Sequence, residues 1–110
     1  PEPILLKKDG NVSFIGSGGF PVGLIDGMDY EDEIVPYNRG DRIFLYSDGI
    51  TECFNKEMEQ FSVNRLVDVL RDGMDISLRE SLDNLQKALY LWRGDMEFDD
   101  DISMLAIEIE

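Results

Sequence analysis

The sequence predicts an α+β fold: a mainly antiparallel sheet with two helices on one face. Three observations carry this. The first half is punctuated by turn signals between short apolar runs. The second half switches to helical spacing. The chain then closes on one more strand-like run, Ile102 to Ile107. The 110 residues fit one domain, and a hydrophobic content of 43% is sufficient for a core.

Taken in order, Ile4-Leu5-Leu6, the turn Lys7-Lys8-Asp9-Gly10-Asn11 and the alternating run Val12 to Ile15 form a hairpin signature. Gly16, Gly18, Gly19 and Gly23, with Pro21 among them, read as a backbone connection. A Walker phosphate loop needs Lys-Ser/Thr after its last Gly, whereas Leu24-Ile25 follows here, and no helical pattern opens behind the glycines as a dinucleotide fingerprint requires. Tyr30 to Val35 is a short acidic strand candidate and Pro36 to Gly40 a turn. The dense run Ile43 to Tyr46 predicts an interior strand buried on both faces, running straight into Ser47-Asp48-Gly49.

Beyond Asn55, Val63, Leu66, Val67 and Leu70 recur at helical spacing. After a break at Asp72-Gly73, Leu78, Leu82, Leu85, Leu89 and Trp92 do so again. Ser77 and Glu80 fit a capping box at the start of the second helix. Its leucine spacing also matches a coiled-coil seam, but two heptads are too few, and a helix pair laid on a sheet is preferred.

The composition excludes several chemistries. There are 24 acidic residues against 10 Lys and Arg, no His and one Cys, for a net charge of -14. Without His there is no Ser-His-Asp or Cys-His relay and no imidazole ligand for zinc or haem. One Cys allows neither an internal disulfide nor a thiolate zinc cluster, and Cys53 is given no role. Nucleic acids and anionic membranes are bound through Lys and Arg, so neither is an expected partner. Apolar runs fall far short of the roughly 20 residues of a membrane span, and with no leader visible the expected location is the cytoplasm. The first residue is Pro rather than Met, which suggests a piece of something longer.

Two segments place acids where a loop meets a buried strand. Asp48 follows the strand ending at Tyr46, and Asp99-Asp100-Asp101 precedes the strand opening at Ile102. If these strands are antiparallel neighbours, the carboxylates converge. Like charges packed together repel, and a divalent cation removes that penalty. Oxygen-only ligands point to Mg2+, Mn2+ or Ca2+. The plainer readings are a solvated acidic loop for Asp99 to Asp101 and a turn residue for Asp48. An EF-hand aligned from Asp95 fails, because Asp100 stands where Gly is needed and Ala106 where Glu is needed. Tyr46-Ser47-Asp48-Gly49 also resembles the Asp-x-Asp-Gly of haloacid-dehalogenase-type phosphatases. There Tyr46 would replace the nucleophilic carboxylate, and the β/α alternation of that fold is lacking.

The run Gly40-Asp41-Arg42-Ile43-Phe44-Leu45-Tyr46-Ser47-Asp48-Gly49-Ile50-Thr51-Glu52 closely resembles the GDxxxLYTDGxTE signature of the SpoIIE-like metal-dependent serine/threonine phosphatases, the bacterial branch of the type 2C class. Pro3-Ile4-Leu5 is similar to the strand after the family's Ala-Gly-His segment, and Gly19 to Leu24 to its Gly-x-Pro-x-Gly-Leu turn. Phe61 to Leu66 is similar to its Phe-Gly-x-x-Arg-Leu segment, and Asp100-Asp101-Ile102-Ser103 to its Asp-Asp-Ile-Thr close. Ser47, Ser62 and Ser103 depart from the family's Thr, Gly and Thr.

The resemblance implies the C-terminal part of a type 2C phosphatase-like α-β-β-α sandwich, with residues 1–110 as the C-terminal portion of one domain whose N-terminal half is absent. It implies that Asp48 and Asp100 are ligands of a two-metal Mn2+ or Mg2+ centre, with Gly49, Glu52 and Asp101 as weaker candidates. In the family the two metals activate a water that attacks phosphorus. The implied substrate is a phosphorylated protein, an anti-sigma-factor antagonist in bacterial partner switching, under control of an upstream sensor or receiver domain. Alone, the chain is expected to be inactive, to leave one sheet face uncovered and to self-associate, for instance as a homodimer. The competing reading is a non-catalytic, phosphatase-like regulatory module.

Overall fold

A computed structural model describes residues 1–16, 37–95 and 102–110. The elements are β1 (Ile4–Leu6), β2 (Val12–Phe14), β3 (Arg42–Tyr46), α1 (Asp48–Thr51), α2 (Ser62–Asp72), α3 (Leu78–Arg93) and β4 (Met104–Glu108). The Gly-rich connection beyond Gly16, the strand candidate Tyr30 to Val35 and the acidic run Asp99 to Asp101 lie outside the described residues.

The strands form one antiparallel sheet in the order β2-β1-β3-β4. Strands β1 and β2 form the expected hairpin, with Ile4 opposite Phe14 and Leu6 opposite Val12. β3 pairs with β1 on one side, Ile4 opposite Phe44, and with β4 on the other, Tyr46 opposite Met104. The end of β3 therefore lies beside the start of β4.

Side chains alternate across a strand, so the sheet has two distinct faces. Ile4, Leu6 and Phe44 point toward the helical layer and form one buried core with Leu66 and Leu70 of α2 and Leu85 and Leu89 of α3. The other face carries Leu5, Ile43, Leu45, Leu105 and Ile107; it is buried at Leu5 and open toward β4. Here the expectation of a strand buried on both faces is corrected: β3 is interior in the sheet, but Leu45 is 40% exposed, beside Leu105 at 57% and Ile107 at 46%. The apolar content of β3 reflects a second face that the described helices do not cover.

Both predicted helices form, and Ser77 caps α3 by accepting from the Glu80 N–H at 3.1 Å. Glu80 Oε1 in turn accepts from the Ser77 hydroxyl, in place of the backbone N–H bond of a full capping box. The layers are clamped together by Arg42. Its buried guanidinium donates to the carbonyls of Gly73 and Ile76 in the α2–α3 turn and pairs with Glu108 of β4 at 2.9 Å. Among the described residues no helix is long and apolar enough to cross a membrane.

Candidate functional site

The signature segment places one Asp at each end of β3, and the two have different fates. Asp41 precedes the strand and is buried. Its carboxylate accepts from the Lys8 N–H at 2.9 Å and the Asn38 N–H at 2.7 Å, and pairs with Lys7 at 3.4 Å. Burial alone would push this acid up, but the two N–H donors and the Lys7 ammonium outweigh it and hold the carboxyl below its ordinary value. Gly40 beside it has φ +90°, and a Cβ there would lie 2.9 Å from the Lys8 side chain. The Gly-Asp that opens the signature is thus a structural staple tying the β1–β2 turn to β3. It escaped the sequence reading, although Gly-Asp just ahead of a dense apolar strand was the available signal.

Asp48 lies at the other end. It begins α1 as an exposed residue, one position beyond Ser47, and no described residue engages its carboxylate in a hydrogen bond or ion pair. This acid is held in place through its backbone carbonyl, which accepts from the Glu52 N–H at 2.9 Å and from the Thr51 hydroxyl. The sequence suggested a carboxylate at a strand edge. The structure shows it in a four-residue helical turn, too short to leave any periodicity to read.

A reciprocal pair of bonds fixes this end. The Ser47 N–H donates to the Ser103 carbonyl, and the Ser103 N–H donates to Ser47 Oγ, both at 3.0 Å. The two strands are antiparallel neighbours, as the sequence reading supposed, with Asp48 one residue past Ser47 and Asp101 two residues ahead of Ser103 in sequence. Gly49 is buried beneath the turn, and Glu52 is exposed at its C-terminal end. Asp100 and Asp101 lie outside the described residues. Among the described residues no three acidic or Cys side chains gather as a metal-binding group.

A carboxylate the sequence reading passed over also reaches this end. Burial raises the Tyr46 hydroxyl above its ordinary pKa, and the charges of Glu2 and Asp48 add to that rise. Extending the Ile4–Phe44 register by two residues sets Glu2 opposite Tyr46, which is the signal that would have found it.

The family model for stage II sporulation protein E, SpoIIE, matches residues 1–110. The chain belongs to the SpoIIE family. Among solved structures, this SpoIIE-family chain is similar to the SiaA-PP2C domain of Pseudomonas aeruginosa, with a TM-score of 0.80 and 22% identity. The match covers 99% of this chain and 43% of that one, so the chain spans less than half the length of the domain it resembles. At this identity the likeness establishes the fold, an α+β arrangement of the type 2C class. No curated protein matches the chain by sequence.

Proposed function

We propose that this SpoIIE-family chain contributes the C-terminal portion, residues 1–110, of a metal-dependent protein phosphatase domain that hydrolyses phosphoserine or phosphothreonine monoesters. The observation that carries this reading is the Ser47–Ser103 pair, which brings the Asp48 turn beside the segment continuing from Asp100 and Asp101. A hard cation fits the donor found there. The Asp48 carboxylate is exposed, with no hydrogen bond or ion pair among the described residues, whereas Asp41 is already neutralised by Lys7 and two N–H groups.

On this reading Asp48 and Asp100 hold Mn2+ or Mg2+, with Glu52, Asp101 and the Gly49 backbone as lesser contributors. A bound pair of such ions supplies an activated water and neutralises phosphate oxygens. The chain's own part is to present the carboxylates rigidly: Ser47 anchors the turn to β4, and Gly49 lets it sit against the core. Two carboxylates are a thin ligand set for such an ion. The remaining ligands are proposed to come from the rest of the domain, in keeping with the 43% coverage of the SiaA-PP2C domain. The uncovered face of Leu45, Leu105 and Ile107 fits the same proposal, with self-association of copies when that face has no partner. The proposed substrate is an anti-sigma-factor antagonist in the cytoplasm, with an upstream sensor or receiver domain setting activity.

The test is turnover of p-nitrophenyl phosphate by the full-length protein with and without Mn2+, alongside Asp48→Asn and Asp100→Asn. Mn2+-dependent turnover lost in both variants is expected. Turnover that survives both would overturn the site, and none with any metal would support a non-catalytic module. For the 110-residue chain alone, calorimetry is expected to give Mn2+ affinity no tighter than the high micromolar range, about 5–6 kcal/mol.

A further inference from the structure

The turn bearing Asp48 and Glu52 is tied to α3 by an interaction that neither the family match nor the proposed chemistry assigns. Trp92, in the last turn of α3, directs its indole N–H between two carbonyls, Cys53 at 2.9 Å and Glu59 at 3.1 Å. These belong to the two arms of the loop that leaves α1 and enters α2, bridged by Phe54 and Gln60 and by the bond from the Phe61 N–H to the Cys53 carbonyl. The ring itself is wedged in place. Phe61 meets it edge-on at 6.0 Å, and the Arg65 guanidinium lies 4.2 Å above its centre. Cys53 is the residue after Glu52, and both amides close the α1 turn, onto the Asp48 and Ile50 carbonyls.

We propose that Trp92 is a positioning residue for the metal-binding turn: its single N–H clips both arms of the loop to α3 and so fixes Asp48 and Glu52 relative to the sheet. This rests on the reading of Asp48 as a metal ligand. Phenylalanine isolates the N–H, because it keeps the aromatic packing against Phe61 and Arg65. The two carbonyls are not orphaned by the change, since Cys53 still accepts from Phe61 and Glu59 from Asn55.

The test compares Trp92→Phe with Val69→Ala, which thins the packing of α2 on the core at a residue outside the loop. In Trp92→Phe, amide exchange at Glu52, Cys53 and Phe61 is expected to quicken by about three- to tenfold, as loss of one hydrogen bond implies, with Ile43 and Leu66 unchanged. In Val69→Ala any rise is spread over all these amides. The Mn2+ dissociation constant, read from the EPR signal of free Mn2+, is expected to rise about three- to tenfold in Trp92→Phe and to stay at the wild-type value in Val69→Ala.

Unchanged exchange at Glu52 and Cys53, or quickened exchange with unchanged Mn2+ affinity, would overturn the positioning role. Asp48→Asn separates the two ideas. If it binds Mn2+ like the wild type, the metal reading fails. If it loses binding while Trp92→Phe does not, only the role of Trp92 fails. Should Trp92→Phe not fold, the emission of the chain's one tryptophan decides. Saturating Mg2+ then shifts it in the wild type and not in Asp48→Asn, and an emission indifferent to Mg2+ overturns the proposal.

Discussion

Ser62 holds a backbone conformation that suits glycine, with φ +76°, and it stands where the family pattern has Gly. An L side chain in the left-handed region costs roughly 1–2 kcal/mol, partly offset by the greater freedom of Gly in the unfolded chain. Ser62→Gly is therefore expected to stabilise by about 0.5–1 kcal/mol in urea unfolding. A departure visible in the sequence only as a mismatch thus acquires a physical content. The two acids of the signature separate in the same way. Asp41 has a lowered pKa, so its stabilising contribution is present above the ordinary carboxylate range and disappears as pH falls through its folded value. Asp41→Asn is expected to be less stable than the wild type at pH 7, with the gap closing as both are taken to acid pH. A gap constant with pH would contradict that account.

At the scale of elements, α2 and α3 meet closely where Gly73 faces Ser81. A Cβ on Gly73 would lie 2.5 Å from Ser81 Oγ and 2.9 Å from its Cβ, so Gly73→Ala is expected to cost about 1–3 kcal/mol by overpacking. Among the described residues Ser81 Oγ is buried without a hydrogen-bond partner. Ser81→Ala, which removes the unpaired hydroxyl, is expected to be neutral or stabilising by thermal melt. At the other side of the turn, Ser77→Ala removes the cap of α3 and should cost about 1 kcal/mol. Both helices were legible because a long amphipathic stripe and a capping box leave a periodic record. The hairpin was legible through its turn residues. What could not be read were α1, only four residues long, and the partners of single side chains. Ser47 as a reciprocal partner of Ser103, Arg42 as a clamp and Trp92 as a clip all depend on contacts between residues far apart in the chain.

For the molecule as a whole, the sheet and the helical layer are joined by apolar packing and by Arg42, whose planar guanidinium serves two carbonyls and Glu108 together. A lysine ammonium cannot span all three, and Arg42→Lys is expected to lose about 1.5–3 kcal/mol in urea unfolding. The acidic end depends on another long-range connection. Ser47 and Ser103 are 56 residues apart, and the segment between them contains α1, α2 and α3. Closing a loop of that length carries an entropic cost that local turns do not. During synthesis from the N-terminus, the hairpin, β3 and the helices are all made before residues 102–110 leave the ribosome. Until those residues dock, the edge of β3 beside Asp48 stays unpaired. The order of manufacture thus leaves this end of the sheet for last, so that a nascent chain can hold most of its core before the Ser47–Ser103 pair can close.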